Sequence, residues 1–306
     1  LFGNGRALCG EIEVADIGIR VGADSIDAHE VEKSDVATWL PIRPVSSHKW
    51  KAAVLAVAGS PTMMGAAHMT SRAAMRLGAG IVHLASPGVT NDPALPDEIV
   101  RRSLSTSDWS REVLADIDRF GCMVIGPGLG RDDHTVDQIR HVITQTPVSL
   151  VVDADALYAV SRPAGGARGI IAARTAATVV TPHDGEYALL VGEPPPMDRL
   201  AGVRMVAKEL GCVCLLKGPT TVVAEPSGET LVVTTGDQRL ATAGSGDVLS
   251  GMIAALIARG MEAFRAAATA AWIHGRAAAL FPHHEGLIAP DLTHYIPAAV
   301  AEVRRP

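Results

Sequence analysis

The chain has 306 residues, 48% of them hydrophobic and 20% charged, which supplies one large core or two small ones and excludes disorder along the whole length. With a net charge of −6 and no basic run or interleaving of aromatic and basic residues, it is not expected to bind nucleic acid. Its longest apolar stretches, such as Val248–Ala258, contain Ser or Gly and fall short of the ~20 residues a membrane span needs, so no membrane partner is expected.

At the start, Leu1–Gly5 has neither the charged nor the apolar region of a secretory signal, and the four cysteines form no CxxC pair. Reduced thiols in the cytoplasm are the expectation, three of them buried. Gly10–Ile19 alternates like a strand with nothing before it to pair with, which suggests that a first domain is truncated or absent. About Asp24 to Ser47 reads as a polar linker ending in Pro41, Pro44 and Ser46-Ser47.

From Lys49 the pattern becomes strand, glycine turn, helix. The expected strands are Ala52–Ala58, Ile81–Ala85, Cys122–Ile125, Val148–Val152, Ala177–Val180 and Val213–Lys217, with helices Gly65–Leu77, Ser110–Arg119, Thr135–Thr144 and Asp198–Leu210 between them. Near-continuous apolar strands alternating with helices predict a mostly parallel sheet covered on both faces. Thr221–Ala224 and Leu231–Thr234, joined at Pro226-Ser227-Gly228, predict an antiparallel edge hairpin. Helices Gly246–Ala258, Glu262–Leu280 and Asp291–Val303 complete the chain, and no internal repeat is present. The small-residue stretches Gly65–Leu77 and Ala266–Ala279 suit packing either between subunits of a homo-oligomer or on their own sheet.

Polar and Gly-rich segments sit at five strand ends: Gly59-Ser60, Gly126–Gly130, Asp153/Asp155, His183-Asp184 and Lys217-Gly218. Ligands in open α/β sheets bind beyond those ends, so one pocket is expected. The sharpest motif is Gly244-Ser245-Gly246-Asp247, opening a helix whose bare amides and dipole make an anion hole. Asp247 beside that hole is either a base that takes a proton from an acceptor hydroxyl or only a complement to the dipole. Each other candidate has a plain rival. Gly126–Gly130 is not a GxGxxG fingerprint. His183 reads equally as an exposed loop residue and Lys217 as a snorkelling one. Asp153 reads as a solvated acid, Asp155 as an N-cap and His283-His284 as exposed.

Gly244–Asp247 resembles the GxGD signature of the ribokinase-like superfamily, and Leu240–Gly251 as a whole resembles its NAD(P)H-hydrate dehydratase branch. Further matches follow in family order: Ala58-Gly59-Ser60 with Gly65-Ala66-Ala67, Ile125–Gly130, Val152–Leu157, Thr181–Glu186 and Lys217–Thr221. The similarity runs from about Trp50 to Val303. Met63-Met64 stands where the family often has an aromatic residue, and Asp184 where it has Pro.

The resemblance implies a ribokinase-like domain over 48–306 that uses ADP or ATP with Mg2+ to dehydrate NADHX or NADPHX. Lys217, Gly218, Pro219, Thr220, Thr221, Gly244, Ser245 and Gly246 would hold the nucleotide, with ADP favoured by the likeness to bacterial members. Ala66, Gly128, His183 and Asp247 would line the substrate site, with Asp247 as general base. Val14–Ile19 is similar to the last strand of an NAD(P)H-hydrate epimerase domain, making 1–47 its remnant plus a linker. No epimerase activity is expected from it. The competing readings are a kinase acting on a hydroxymethylpyrimidine, a hydroxyethylthiazole or a sugar, and a non-catalytic nucleotide-binding protein.

Overall fold

A computed structural model of the chain describes residues 28–161 and 166–304, together with 9, 13 and 15–18. In chain order its elements are β1 (His29–Glu30), α1 (Lys33–Trp39), β2 (Ala53–Val57), α2 (Met64–Arg76), β3 (Ile81–Pro87), β4 (Val100–Leu104) and α3 (Trp109–Leu114). There follow β5 (Cys122–Ile125), α4 (Asp133–Gln145), β6 (Ser149–Val152), α5 (Asp155–Ser161), α6 (Gly166–Ile171), β7 (Thr178–Val180), α7 (Asp184–Val191) and α8 (Arg199–Leu210). The last are β8 (Val213–Leu216), β9 (Thr221–Ala224), β10 (Thr230–Val233), α9 (Ser245–Ala258), α10 (Ala263–Ala279) and α11 (Ala289–Arg304).

The ten strands form one sheet in the order β1-β10-β9-β8-β7-β6-β5-β2-β3-β4. Only β9 runs against its neighbours; the remaining pairs are parallel. The strands between the two edges are apolar on both faces because helices cover both, and their period of two sorts side chains into two cores. Val54, Ala56, Val124, Val151 and Leu215 meet α1, α2, α9, α10 and α11 on one face. Leu55, Val57, Ile125, Val152 and Leu216 meet α3 to α8 on the other. The chain moves outward from β2 through β3 to β4, then returns at β5 to the other side of β2. The switch point therefore lies between β2 and β5, where this architecture binds ligands.

Several expectations change. The expected linker is structured over His29–Leu40: β1 pairs with β10, so the β9/β10 hairpin lies one strand in from the edge. Val31, Val36 and Leu40 are buried in the core there, and apolar spacing in so short a segment gave no strand or helix signal. Arginines fasten the following stretch, with Arg304 and Arg259 donating to the Pro41 carbonyl and Arg43 to that of Gly78. Strand β4 was not anticipated because Val100–Leu104 is half polar, as suits an edge strand. The expected helix Ser110–Arg119 divides into α3 and a 3-10 turn at Ile117–Arg119. The expected strand over Gly10–Ile19 lies mostly outside the described residues, and Ala15–Gly18 are exposed in no regular element.

Cys122, Cys212 and Cys214 are buried free thiols, as expected. The small-residue faces of α2 and α10 are consumed inside the chain. Among the described residues no helix is long and apolar enough to cross a membrane.

Candidate active site

Charged groups that follow β6, β7 and β8 (Asp153, Glu186 and Lys217) act on the first turn of α9. Gly244 caps that helix at φ 91°, a left-handed conformation suited to glycine, and its Cα faces Met69 of α2 so closely that a Cβ would lie 2.4 Å from the Met69 Cε. No side chain caps the helix; the Ser245 amide donates to the Thr242 carbonyl at 3.3 Å, and the amides that follow it in the first turn are left available. The Ser245 hydroxyl is turned away to donate to the Leu240 carbonyl at 2.7 Å, bracing the preceding loop.

Asp247 lies in this first turn, and its carboxyl pKa is pushed up to about 7. Burial is the main cause, the Asp153 carboxylate adds to it, and the Lys217 ammonium opposes it. A group that titrates near neutral pH is suited to accept and return a proton.

Lys217 follows β8. Its Nζ donates to Asp153 Oδ1 at 2.9 Å and sits 3.4 Å from Glu186 Oε2. The same Nζ lies 3.4 Å from where a Cβ on Gly246 would be, so it stands at the mouth of the anion hole. Burial acts to discharge the ammonium, but the Asp153 and Glu186 carboxylates prevail and its pKa is raised. The snorkelling reading of Lys217 is therefore overturned, and so is the solvated reading of Asp153, which is 1% exposed.

Ala154, between the two acids, adopts φ 50°, an uncommon conformation for a side-chain-bearing residue. The turn sends neighbouring carboxylates to different tasks. Asp155 does not cap a helix. It accepts from the Gly130 amide at 2.9 Å and from Arg131 Nε at 2.6 Å, fixing the Gly126–Gly130 loop. Within that loop Gly128 has φ +67°, and Ala66 of α2 comes within 3.1 Å of where a Cβ on it would lie. The Gly59 amide after β2 donates to the Pro127 carbonyl at 2.8 Å, joining the loops on either side of the switch point.

His183 caps α7, its Nδ1 accepting from the Gly185 and Glu186 amides while Glu186 returns a bond to the His183 amide. The ring itself is exposed. Gly218 and Pro219 form an exposed turn, Thr220 is buried and Thr221 opens β9. Arg199 crosses that turn, donating to the Lys217 carbonyl at 2.9 Å and pairing with Asp184 at 2.9 Å.

The expected residues thus fall into two groups joined by α2: Ala66 with Gly128, and Gly244, Ser245, Gly246 and Asp247 with Lys217. Glu186 and Arg199 were not assigned from sequence. Glu186 lay within the matched string Thr181–Glu186, whereas Arg199 lay in an amphipathic helix start with no signal of its own. His283 and His284 are exposed.

Among the described residues, no three His, Cys, Asp or Glu side chains are placed to hold a metal ion. Asp153 and Glu186 are also engaged by Lys217. This donor set suits only an ion carried mainly by phosphate oxygens and water, as Mg2+ prefers.

Residues 54–298 match the protein family described as NAD(P)H-hydrate dehydratase. The bifunctional NAD(P)H-hydrate repair enzyme of Moorella thermoacetica is 38% identical, the match covering 96% of this chain and 58% of that protein, so the chain spans little more than half of that relative's length. The ADP-dependent (S)-NAD(P)H-hydrate dehydratase of Neisseria meningitidis is 35% identical, over 86% of this chain and 88% of its own. Among solved structures, the ADP/ATP-dependent NAD(P)H-hydrate dehydratase from Bacillus subtilis, co-crystallised with ATP and Mg2+, superimposes with a TM-score of 0.77 at 28% identity, covering 90% of this chain and 98% of that one.

Proposed function

The chain belongs to the NAD(P)H-hydrate dehydratase family, and from that membership we propose that it is an ADP-dependent (S)-NAD(P)H-hydrate dehydratase acting in cytoplasmic repair of NADHX and NADPHX. The observation that carries the reading is Asp247, a carboxyl with a pKa of about 7 in the first turn of α9, beside uncapped amides and the Lys217 ammonium.

The substrate carries a hydroxyl at nicotinamide C6. Hydroxide leaves poorly, because its conjugate acid has a pKa near 15.7. A phosphate monoester, with a second pKa of about 6, leaves far more easily. Asp247 takes the hydroxyl proton as the oxygen attacks the terminal phosphoryl of ADP, and AMP departs. The Gly244–Gly246 amides and Lys217 stabilise the charge that develops on the transferred group. Phosphate then leaves C6, pushed by the ring nitrogen. Loss of a C5 proton restores the dihydronicotinamide double bond, so the products are NAD(P)H, AMP and phosphate. Mg2+, held by phosphate oxygens and water, would supply further charge neutralisation.

Gly218, Pro219, Thr220 and Thr221 are assigned to the nucleotide. Ala66, Gly128 and His183 are assigned to the hydrated nicotinamide.

The test is absorbance at 340 nm with NADHX, Mg2+ and either ADP or ATP. A rise with ADP, accompanied by AMP and phosphate, is expected. A stable phosphorylated product without that rise would replace the dehydratase by a kinase, and no turnover would leave a nucleotide-binding protein.

A further inference from the structure

Arg199 has no part in the chemistry above, yet it lies against the turn assigned to the nucleotide. It is the first residue of α8, on a helix start fixed by Asp198, whose carboxylate accepts from the Ala201 amide at 3.1 Å. From there its guanidinium reaches over the end of β8. A single nitrogen, Nη2, donates to the Lys217 carbonyl and pairs with Asp184 Oδ1, each at 2.9 Å. The same nitrogen would lie 2.8 Å from a Cβ on Gly218, so the guanidinium rests directly on the backbone of the turn.

The two sides of this contact are unequal. The start of α7 is held by its own capping box, in which His183 Nδ1 accepts from the Gly185 and Glu186 amides and Glu186 accepts from the His183 amide. The buried Tyr187 adds a bond from its hydroxyl to the Gly202 carbonyl of α8 at 3.2 Å. The Gly218-Pro219 corner is exposed, and Pro219 has no amide to donate. Lys217 is tied back to the α7 side twice: its amide donates to the Pro182 carbonyl at 2.8 Å, and its carbonyl is held through Arg199 to Asp184. The anchored turn therefore restrains the exposed one, and Arg199 is the link.

We propose that Arg199 is a positioning residue for nucleotide binding: with Asp184 it holds the Lys217–Thr221 turn in place to receive a nucleoside diphosphate. The guanidinium charge strengthens its bond to the Lys217 carbonyl, and Asp184 orients it. The inference rests on the proposed assignment of that turn to the nucleotide, not on the dehydration step.

Two measurements on the full chain test it. In the first, the Kd for ADP is measured by calorimetry for the parent, Arg199→Met, Arg199→Lys, Asp184→Ala and the double variant of Arg199→Met with Asp184→Ala. Arg199→Met is expected to weaken ADP binding about tenfold, the loss of one charge-assisted hydrogen bond. Asp184→Ala removes only an exposed carboxylate, and is expected to weaken it about two- to fivefold. Arg199→Lys recovers part of the loss, because one ammonium can stand in for a single nitrogen. The double variant binds no more weakly than Arg199→Met, since Asp184 acts through Arg199. KM for NADHX stays within about twofold in each. Kd values equal to the parent's, additive losses in the double variant, or an equal rise in KM for NADHX would overturn the proposal.

The second measurement needs no nucleotide. Hydrogen exchange of the segment Lys217–Thr221 is followed by mass spectrometry in the ligand-free protein. Faster exchange in Arg199→Met and Asp184→Ala is expected, and exchange identical to the parent's refutes the restraint. If the 340 nm assay succeeds and Arg199→Met binds ADP like the parent, the inference fails and the dehydratase reading stands. If that assay fails while the variants weaken ADP binding as expected, the inference stands alone. A parent that binds no ADP ends both.

Discussion

Lys217 and Asp153 are joined at 2.9 Å from the ends of β8 and β6, two strands separated in the sheet by β7. This one cation also serves Glu186 and favours the ionised form of Asp247. The pair sets both where the ammonium stands at the anion hole and how strongly Asp247 holds its proton.

Asp247→Asn removes the proposed base but keeps the size and polarity of the side chain. Turnover is expected to fall by about 10²–10⁴-fold, the usual contribution of a positioned base. The Kd for ADP, measured by calorimetry, should stay within about threefold of the parent. Retained turnover with lost ADP binding would reverse the assignment.

The pH dependence follows from the same cluster. Asp247 is a base only when ionised, so kcat/KM should decline as pH falls through about 7. Asp153→Asn deletes a like charge that raises the Asp247 pKa, and should move this acid limb to lower pH. Lys217→Met deletes the opposing cation and should move it to higher pH. Shifts of the opposite sign in these two profiles would separate the limb from Asp247.

Lys217→Met also has a stability cost, because Asp153 is nearly inaccessible and would lose its cation. Breaking a buried pair by removing one partner costs about 3–5 kcal/mol. A urea midpoint equal to that of the parent would mean that water reaches Asp153.

A chain begun at Trp50 loses β1 and α1, and with them the burial of Val31, Val36 and Leu40. Each such side chain is worth about 1.5–3 kcal/mol when fully buried, as an upper bound. The edge of β10 would also be left unpaired. Urea unfolding should show a lower midpoint for the shortened chain; equal stability would make residues 28–47 an appendage.

Asp155→Ala frees the Gly130 amide and Arg131. The loop carrying Gly128 should loosen, raising KM for NADHX several-fold while the Kd for ADP holds steady. An effect on ADP alone would place the loop at the nucleotide.

The alternation of apolar strands with helices determined the parallel sheet, because a strand buried on both faces must be apolar throughout, and Val54, Leu55, Met123 and Val151 already are. The string Gly244–Asp247 likewise determined the helix start and its acid, since spacing within one turn is local. What the sequence could not give was the company these residues keep. Asp153 and Lys217 each read as an exposed strand-end charge until β6, β7 and β8 were set side by side. Asp155 read as a cap until the Gly126–Gly130 loop lay against it. The pKa of Asp247 depends on burial and on charges brought from other strands. Short-range pattern sets the elements. Electrostatics in a cleft are sums over groups distant in the chain, so only the tertiary structure decided them.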